Sequence, residues 1–313
     1  MKVFITGISG FVGANLARGL LKDGVEVYGL VRTSSDLWRL EGIEDKLHLH
    51  IGDLLDNASI TAALNKARPD VLFHLGTYGT QPTQKDKETI IQSSLYSTIR
   101  LLDCAKKVGV GIVINTGSSS EYGTKDHPMR EDELLEPNSY YAVGKAAQTL
   151  FCQQFAREEK LPIITLRLFS VYGPYEEPTR FIPTLVANTL ANKDVSLANP
   201  KTARDFIYIN DVIDAYRAAA MKPNLSGEVF NVGSGVQHTL REAFDIAHSL
   251  TKSRSKPLEG IYEGRSFDTD IWVADMSKTR SQLGIASKYT LSEGLQATID
   301  WKKDSQKHGK RKN

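Results

Sequence analysis

The chain has 313 residues, of which 41% are hydrophobic and 24% charged, and this ordinary globular mixture excludes disordered and membrane-spanning proteins. The formal net charge of +2 reflects a basic tail over residues 302–313, so the rest of the chain is slightly acidic and offers no surface for nucleic acid. Only Cys104 and Cys152 are present, which excludes a disulfide framework and favours free thiols in a reducing compartment.

Short β-branched apolar runs alternate with amphipathic stretches through the first half of the chain. The apolar runs predict strands over Val3–Thr6, Glu26–Val31, Leu47–His50, Val71–His74, Gly111–Thr116 and Pro162–Arg167. The amphipathic stretches predict helices over Phe11–Lys22, Ser59–Ala67, Asp86–Lys107 and Ser139–Glu159. This alternation predicts an α/β fold, a doubly wound parallel sheet whose ligands bind at the carboxyl ends of its strands. Because the first strand begins at once, we expect no signal peptide, a cytoplasmic location and no membrane contact.

The pattern becomes less regular after about Leu168, where prolines punctuate the chain and helices are predicted near Phe181–Ala191 and Thr239–Thr251. We interpret this region as a smaller lobe. The buried run Val229–Val232 is expected to return to the main sheet, so the two domains are interleaved. The predicted bounds are 1–167 with about 206–233 for the main domain, about 168–205 and 234–302 for the lobe, and 303–313 for a flexible basic tail.

Three glycines, Gly7, Gly10 and Gly13, lie between the first predicted strand and the first predicted helix. Glycine at these spacings permits a tight turn, lets backbone N–H groups approach a pyrophosphate, and allows the helix to pack closely on the strand. The helix N-terminus at Phe11 and Val12 adds positive potential for an anion. Glycines alone are a weak signal, but their position directly after a strand predicts a dinucleotide-binding site.

The residues at the end of the second predicted strand indicate which dinucleotide binds. Sites selective for NAD place an acid there, whereas this chain has Arg32 with Ser34 beside it. Arg32 can pair with a 2′-phosphate through two hydrogen bonds, which favours NADP(H). NAD(H) stays possible because Asp36 is close in the chain. Asp53 and Leu54 follow the third strand and are candidates to meet the adenine, although Asp53 is equally explained as a helix-entry residue.

A tyrosine and a lysine one helical turn apart form the candidate catalytic pair. Tyr141 and Lys145 share one face of the predicted helix Ser139–Glu159. A free phenol has a pKa of about 10, too high for a base at neutral pH, and a fixed ammonium with a cationic nicotinamide ring lowers that value. Such pairs also occur by chance on surfaces. Ser118 lies just past the strand Gly111–Thr116, where strand end and helix converge, so its hydroxyl can share a substrate proton with Tyr141.

Five motifs occur in order along the chain: Thr6-Gly7-x-x-Gly10-Phe11-x-Gly13, Ser118 ahead of Glu121-Tyr122-Gly123, Tyr141-x-x-x-Lys145, Arg167-Leu168-Phe169-Ser170-Val171-Tyr172-Gly173-Pro174 and Arg204-Asp205-Phe206-Ile207-Tyr208. Together they resemble the extended short-chain dehydrogenase/reductases, and within them the nucleotide-sugar epimerase/dehydratase branch. The resemblance covers nearly the whole chain, and the joint occurrence of the motifs is far more specific than any one of them.

The resemblance implies a Rossmann-type domain, a tightly held nicotinamide cofactor and hydride transfer at a sugar carbon. It implies that Tyr141 is the general base and acid, that Lys145 holds the nicotinamide ribose and lowers the pKa of the tyrosine, and that Ser118 orients the substrate hydroxyl. The stretch after the fourth strand is also implied to lie near the cofactor, and it consists of His74, Leu75, Gly76 and Thr77. We interpret His74 as structural.

The irregular second half would form a substrate-binding lobe. Arginine suits a diphosphate because its planar fork matches the phosphate oxygens, and Arg204 and Arg265 stand where related enzymes clamp one. A neighbouring aspartate could instead pair with either arginine. The other candidates for contact with substrate are Thr77, Ser118, Ser119, Ser170 and Arg180. No set of residues with metal-ligand spacing is apparent, so no metal is expected.

The serine motif bears on the reaction. Related dehydratases resemble one another in carrying Thr-Asp-Glu or Thr-Ser-Glu there, because eliminating water needs a further acid and base. This chain has Ser118-Ser119-Ser120, with Glu121 displaced by one residue. On an extended loop that shift points the carboxylate to the other side, which disfavours dehydration.

A nucleotide-diphosphate-sugar 4-epimerase, acting through a 4-keto intermediate, is the favoured hypothesis. Arg32 and the serine-rich run instead favour an NADPH-dependent reductase of a nucleotide-linked 4-keto-6-deoxy sugar. A cofactor-binding protein without catalysis is disfavoured because Tyr141, Lys145 and Ser118 are all present. The resemblance also implies a homodimer formed through the two long helices of the first half.

Overall fold

The computed structural model describes residues 1–80, 83–197, 199–259 and 269–309. Its strands are β1 (Lys2–Thr6), β2 (Glu26–Val31), β3 (Leu47–Ile51), β4 (Val71–His74), β5 (Ile112–Ser118), β6 (Ile163–Leu168), β7 (Ser170–Tyr172), β8 (Val195–Leu197), β9 (Ala203–Arg204), β10 (Phe206–Tyr208), β11 (Val229–Val232), β12 (His238–Thr239) and β13 (Pro257–Glu259). Its α-helices are α1 (Phe11–Lys22), α2 (Asn57–Ala67), α3 (Lys87–Ile91), α4 (Ser97–Val108), α5 (Tyr140–Glu159), α6 (Phe181–Leu190), α7 (Ile209–Ala220), α8 (Leu240–Thr251) and α9 (Leu291–Gly309).

Within the described residues, seven strands form the central sheet, in the order β11-β6-β5-β4-β1-β2-β3. Parallel pairing aligns Val3 of β1 with Val27 of β2 on one side and with Val71 of β4 on the other. The chain therefore moves outward from β1 in one direction and then returns to continue from β4 in the other. In a doubly wound sheet this reversal creates a crevice at the carboxyl ends of β1 and β4 where ligands bind. The predicted Rossmann-type α/β fold is confirmed.

The sheet is held by apolar side chains buried on both faces, as expected for parallel strands covered by helices. One cluster joins β1, β2, β4, β5 and β6 to helices α2, α4 and α5, and it includes Phe4, Leu64, Leu72, Leu101 and Val113. Each such side chain contributes about 1.5–3 kcal/mol when fully buried. The continuous apolar runs that predicted these strands are therefore the runs that form the core.

One predicted helix is interrupted in the structure. The stretch Asp86–Lys107 does not form a single α-helix, because a π-helical turn over Gln92–Tyr96 separates α3 from α4. The hydroxyl of Thr98 donates to the carbonyl oxygen of Ser94 at 2.6 Å, and side-chain bonds of this kind compete with the regular helical ladder. The sequence pattern predicted a helical segment here and missed the wider turn.

The chain divides into two compact units. The first contains Met1–Gly123, Glu131–Leu168 and Ile213–Phe230, and the second contains Thr124–Arg130, Phe169–Val212 and Asn231–Asn313. In the described part of the second unit, β7 pairs with β10, β9 with β12 and β8 with β13, each as a two-stranded sheet.

Helix α9 is the last helix of the described chain. Helix α9 continues to Gly309, so the tail predicted to be flexible from residue 303 is helical over most of its length. No helix in the described ranges has both the length and the apolar character needed to cross a bilayer.

Candidate active site

The glycine-rich turn leaves the start of α1 open. Gly7 has φ +70°, a left-handed conformation that favours glycine, and its carbonyl oxygen accepts a hydrogen bond from the Gly10 N–H at 2.9 Å. Gly10 occupies the N-cap position of α1, where no side chain caps the helix. The N–H groups of Phe11 and Val12 in the first turn have no acceptor within the helix. Such a helix end fits a pyrophosphate without moving a side chain.

Two alanine substitutions in this turn are expected to have different effects, one mainly on stability and the other mainly on dinucleotide binding. A Cβ added to Gly13 would collide with the carbonyl oxygen of Gly7, so Gly13→Ala should cost about 2 kcal/mol or more of unfolding free energy. A Cβ on Gly10 meets that oxygen at 3.1 Å, so Gly10→Ala should keep most of the stability while weakening dinucleotide binding. Urea unfolding and calorimetric titration with the cofactor separate the two effects. Equal stability losses in the two variants would contradict this account.

A chain of hydrogen bonds fixes the end of β4 beside the turn. The Thr6 hydroxyl accepts from the N–H groups of Leu75 and Gly76, both at 3.1 Å, so its own proton goes to His74 Nδ1 at 2.7 Å. The Thr98 hydroxyl donates to the π-helical turn, so it accepts from His74 Nε2 at 2.9 Å. His74 is therefore neutral with its proton on Nε2, and it connects β1 to α4. The interpretation of His74 as structural agrees with these contacts.

Burial lowers the pKa of His74 to about 3, and the nearby Lys145 ammonium adds to this shift. The unfolded chain takes up a proton at this histidine below about pH 6.5, whereas the folded chain does not, so acid stabilises the unfolded state. As the pH is lowered from about 6.5 to about 5, the free energy of unfolding of the wild type should therefore fall more steeply than that of His74→Gln. The difference between the two slopes should be up to about 1.4 kcal/mol per pH unit. Urea unfolding at several pH values measures this difference. His48→Gln, at a side chain that is 54% exposed, is the control, and equal slopes for the two variants would contradict the prediction.

The predicted adenine and ribose contacts lie at the ends of β2 and β3. Arg32 and Ser34 are exposed just after β2. The Asp53 carboxylate accepts from the Leu55 N–H at 2.8 Å and so forms a local turn. The N-cap of α2 is Asp56, so the alternative interpretation of Asp53 as the helix-entry residue is wrong. Leu54 packs on the backbone at Gly76, since a Cβ added there would come within 2.7 Å of Leu54 Cδ1.

Helix α5 carries the predicted catalytic pair. The Ser139 hydroxyl caps the helix by accepting from the Ala142 N–H at 3.2 Å, and this fixes the first turn, which contains Tyr141. The Lys145 side chain is 1% exposed, and its Nζ donates to the Thr116 carbonyl oxygen at 2.9 Å and to Gln148 Oε1 at 3.0 Å. Burial lowers the pKa of Lys145 to about 8, although the Glu121 carboxylate opposes this shift. The ammonium thus lies at the carboxyl end of β5.

Tyr141 lies near the same strand end. It is partly exposed, and a Cβ added to Gly79 would approach its ring within 3.3 Å. Burial and the neighbouring Tyr141 both raise the pKa of Tyr216. The hydroxyl of Tyr216 is hydrogen-bonded to that of Thr116 at 2.6 Å. Lys145 therefore contacts β5 at Thr116, and Tyr141 is close to Tyr216, whose hydroxyl bonds to the same residue.

Ser118 ends β5 and caps a short 3₁₀ turn over Ser119–Tyr122. Its hydroxyl lies 2.8 Å from that of Ser120, and its N–H donates to Glu121 Oε1 at 2.8 Å. The serine run is therefore a turn and not the extended loop expected from the sequence. The Glu121 carboxylate is fully buried and accepts from Arg167 Nε at 2.8 Å. It points into the core because the capping box and this ion pair hold it there.

Candidate substrate residues of the second unit lie on separate short elements. Ser170 begins β7, and its N–H donates to the Asp205 carbonyl oxygen at 3.0 Å. Arg180 is the N-cap residue of α6, and Arg204 ends β9. Arg265 lies outside the described residues. In the parts of the chain that the structure describes, no group of His, Cys, Asp and Glu is arranged to hold a metal ion.

The remaining predicted residues belong to the first unit. Thr77 is exposed after β4, whereas Ser119 is buried in the 3₁₀ turn. Sequence reasoning missed Gln148, although its spacing of three residues from Lys145 on one helix could have revealed it. It also missed Thr98, whose contact with His74 joins distant parts of the chain and leaves no local signal.

The chain is similar to known proteins over almost its whole length. Residues 3–233 match the model of the NAD dependent epimerase/dehydratase family. The UDP-glucose 4-epimerase of Mycolicibacterium smegmatis is 29% identical over an alignment that covers 96% of this chain and 98% of that protein. The dTDP-glucose 4,6-dehydratase of Xanthomonas campestris pv. campestris is 25% identical, with coverage of 95% and 92%.

A solved structure extends the similarity to three dimensions. The UDP-glucuronic acid 4-epimerase from Bacillus cereus, in complex with UDP-glucuronic acid and NAD, has a TM-score of 0.87 at 27% identity, with 97% of this chain and 100% of that chain covered. The family match spans the glycine-rich turn, the end of β5 and helix α5. The resemblance found in the sequence is confirmed, and this chain belongs to the NAD dependent epimerase/dehydratase family.

Proposed function

We propose that this protein is a nucleotide-diphosphate-sugar 4-epimerase that works through a 4-keto intermediate. The observation that carries the proposal is the contact of the buried Lys145 ammonium with the Thr116 carbonyl oxygen. This contact sets the Tyr141 helix against the strand end that bears Ser118. The similar proteins from Mycolicibacterium smegmatis and Bacillus cereus are both named 4-epimerases, which supports the same reaction here.

The three side chains have separate tasks in this reaction. Tyr141 takes the proton of the sugar C4 hydroxyl and returns it after the 4-keto sugar has rotated to present its opposite face. Lys145 supplies a fixed positive charge that favours the phenolate form of Tyr141. Ser118 donates to the C4 oxygen and holds it in line with the tyrosine. The open turn at Gly7, Gly10 and Gly13 would hold a nicotinamide cofactor, which would supply the hydride acceptor and donor for sugar C4.

The proposed cofactor contacts are those of the open turn and of the strand ends around it. The uncapped start of α1 fits the pyrophosphate. The proposed residues are Gly7, Gly10, Phe11, Val12, Gly13, Arg32, Ser34, Asp53, Leu54, Leu75, Gly76, Tyr141 and Lys145. On the substrate side, Arg204 and Arg265 are proposed for the diphosphate, and the other proposed contacts are Thr77, Ser118, Ser119, Ser170 and Arg180.

We propose NAD as the cofactor, although Arg32 alone favours NADP(H). The Bacillus cereus epimerase was solved with NAD, and an epimerase needs no free pool of reduced cofactor because the hydride returns to the substrate. The described hydrogen bonds of Arg32 with Ser35 are made by the backbone of Arg32. Its side chain is exposed and can accommodate either dinucleotide. The cofactor released by denaturing the purified protein identifies which dinucleotide it holds.

Glu121 argues against dehydration. Eliminating water needs an acid and a base beside the sugar in addition to the tyrosine. Glu121 is the carboxylate of the serine motif, and its two oxygens accept from Ser118, Thr149 and Arg167 within the core. Glu121 therefore has a structural role. The hydroxyl-bearing Ser119 and Ser120 offer no carboxylate in its place.

A product assay tests the reaction. The purified protein is incubated with UDP-glucose, UDP-glucuronic acid and dTDP-glucose in turn, while nicotinamide absorbance and product stereochemistry are followed. Interconversion at C4 without net change in the cofactor is expected. A 4-keto-6-deoxy product would establish a dehydratase. Loss of NADPH in proportion to an added 4-keto-6-deoxy sugar would establish the reductase.

We also propose the homodimer implied by the resemblance. Tyr96 of the π-helical turn is 52% exposed, and Val143 and Leu150 of α5 are 42% and 57% exposed. Apolar side chains of this size on neighbouring helices favour burial against a second copy.

A further inference from the structure

A series of three side-chain hydrogen bonds runs from Lys145 into the centre of the sheet. Lys145 Nζ donates to Gln148 Oε1 at 3.0 Å, and Gln148 Nε2 donates to Asn115 Oδ1 at 2.8 Å. Asn115 Nδ2 in turn donates to Thr165 Oγ1 at 3.1 Å. All four residues are at most 1% exposed. Asn115 of β5 and Thr165 of β6 are aligned in register, so the series ends on two neighbouring strands.

The ammonium group sets the direction of these bonds. A lysine ammonium can only donate hydrogen bonds, so the carbonyl end of the Gln148 amide must face it. The NH₂ end of the same amide then faces the carbonyl oxygen of Asn115, whose own NH₂ group donates to Thr165. Both amides therefore have their negative ends toward Lys145. Hydrogen bonds aligned in this way strengthen one another in a low-dielectric interior.

Other titratable groups also act on Lys145. Burial lowers the pKa of Lys145 to about 8, and the Glu121 carboxylate and, to a smaller extent, Cys152 oppose this shift. Glu121 is already paired with Arg167 at 2.8 Å, and burial keeps His74 neutral. The buried ammonium therefore depends on the acceptors that bond to it directly, because a hydrogen bond to the charged form of a group favours that form.

We propose that Gln148 is a positioning residue that holds the Lys145 ammonium charged and fixed in place, one helical turn from Tyr141. This inference rests on the proposed function, in which the charge of Lys145 favours the phenolate form of Tyr141. The flexible lysine stem is fixed at its end by two acceptors, the Thr116 carbonyl oxygen on β5 and the Gln148 amide on α5. Replacing both partners of a buried hydrogen bond by apolar groups can be nearly neutral for stability, so the effect on the ammonium explains the buried amides better.

The pH dependence of unfolding tests this role without depending on turnover. Gln148→Met keeps the length of the side chain and removes its carbonyl oxygen, so the pKa of Lys145 in the folded protein should fall by about one to two units. The wild type is then favoured while Lys145 is charged, and it loses this advantage as the pH rises through about 8. In urea unfolding, the folding equilibrium constant of Gln148→Met relative to wild type should be about tenfold lower, or more, at pH 6 than at pH 9.

A second variant reverses the sign of the effect. Gln148→Glu keeps an acceptor for the ammonium and adds a negative charge, so the pKa of Lys145 in the folded protein should rise. The stability of Gln148→Glu relative to wild type should therefore fall between pH 6 and pH 9, whereas that of Gln148→Met should rise. Gln148→Glu also decides the question by itself if Gln148→Met does not fold.

Gln153→Met is the matched control. Gln153 lies on the same helix, and its Nε2 donates to the Gly227 carbonyl oxygen at 3.2 Å, so its stability deficit should be the same at both pH values. A relative stability that does not vary with pH in either Gln148 variant, or slopes equal to that of Gln153→Met, would overturn the role of Gln148 and leave the proposed function standing. The expected slopes in a protein that epimerises no sugar would sink only the proposed function.

Discussion

Replacing Tyr141 with phenylalanine is expected to lower kcat for C4 epimerisation by about a thousandfold, since a positioned acid or base typically contributes between a hundredfold and ten-thousandfold. The substitution removes one oxygen and keeps the ring, so the packing against Gly79 should survive. Lys145, Thr116 and Gln148 would keep their mutual hydrogen bonds, because none of the described bonds among them involves the tyrosine. The measurement is product formation under saturating nucleotide sugar, with the bound nicotinamide quantified in the same sample.

The neighbouring tyrosine supplies a matched control. Tyr140 is 52% exposed, and the Lys87 ammonium lies 4.6 Å from the centre of its ring. Tyr140→Phe removes the same oxygen one residue away and should leave kcat within about twofold, as expected for a surface substitution. Full activity in Tyr141→Phe, or equal losses in the two variants, would show that another group moves the proton.

Hydrophobic patterning was sufficient to predict most of the fold. The strands Glu26–Val31 and Val71–His74 and the helix Phe11–Lys22 have the predicted bounds, because continuous apolar runs and a 3.6-residue period reflect burial directly. The interruption at Gln92–Tyr96 could not be predicted in this way. It depends on hydroxyl groups that bond to carbonyls one turn earlier, and these bonds leave the apolar face of the helix unchanged.

The candidate site was predictable where its spacing is local. Tyr141 and Lys145 are one turn apart on a helix, and the three glycines share one turn, so both groups are visible in the sequence. The contacts that fix them are not local. The Thr116 carbonyl oxygen, which accepts from Lys145, lies 29 residues earlier in the chain, on a strand that folding brings against α5. The direction of the Glu121 side chain likewise followed from a 3₁₀ turn that the serine run did not suggest.

The ion pair of Glu121 and Arg167 provides the largest expected effect on stability. Both side chains are almost completely buried, and Arg167 also donates to the Tyr122 hydroxyl at 3.0 Å while its guanidinium lies over the Tyr122 ring. Removing one partner of a buried pair leaves the other charge without compensation, which typically costs about 3–5 kcal/mol. Arg167→Met is therefore expected to lower the free energy of unfolding by that amount, as measured by chemical denaturation. Arg241→Met, which breaks an exposed pair with Asp245, is the control and should cost less than about 1 kcal/mol.

The loss in Arg167→Met should also depend on pH in a defined direction. Burial raises the pKa of Glu121, and the Arg167 guanidinium opposes that rise, so removing the arginine raises the pKa further. A carboxyl group with a raised pKa in the folded state stabilises the fold below its unfolded pKa of about 4.3 and loses this contribution as the pH rises. The deficit of Arg167→Met should therefore be smaller near pH 4 to 5, by about 1.4 kcal/mol for each unit of further pKa shift, than at neutral pH. Adding Glu121→Gln, which removes the charge and keeps an oxygen for the Ser118 N–H, should recover part of the stability at neutral pH. A deficit that is constant with pH, or unaffected by Glu121→Gln, would mean that Arg167 acts through packing on Tyr122 and not through its charge.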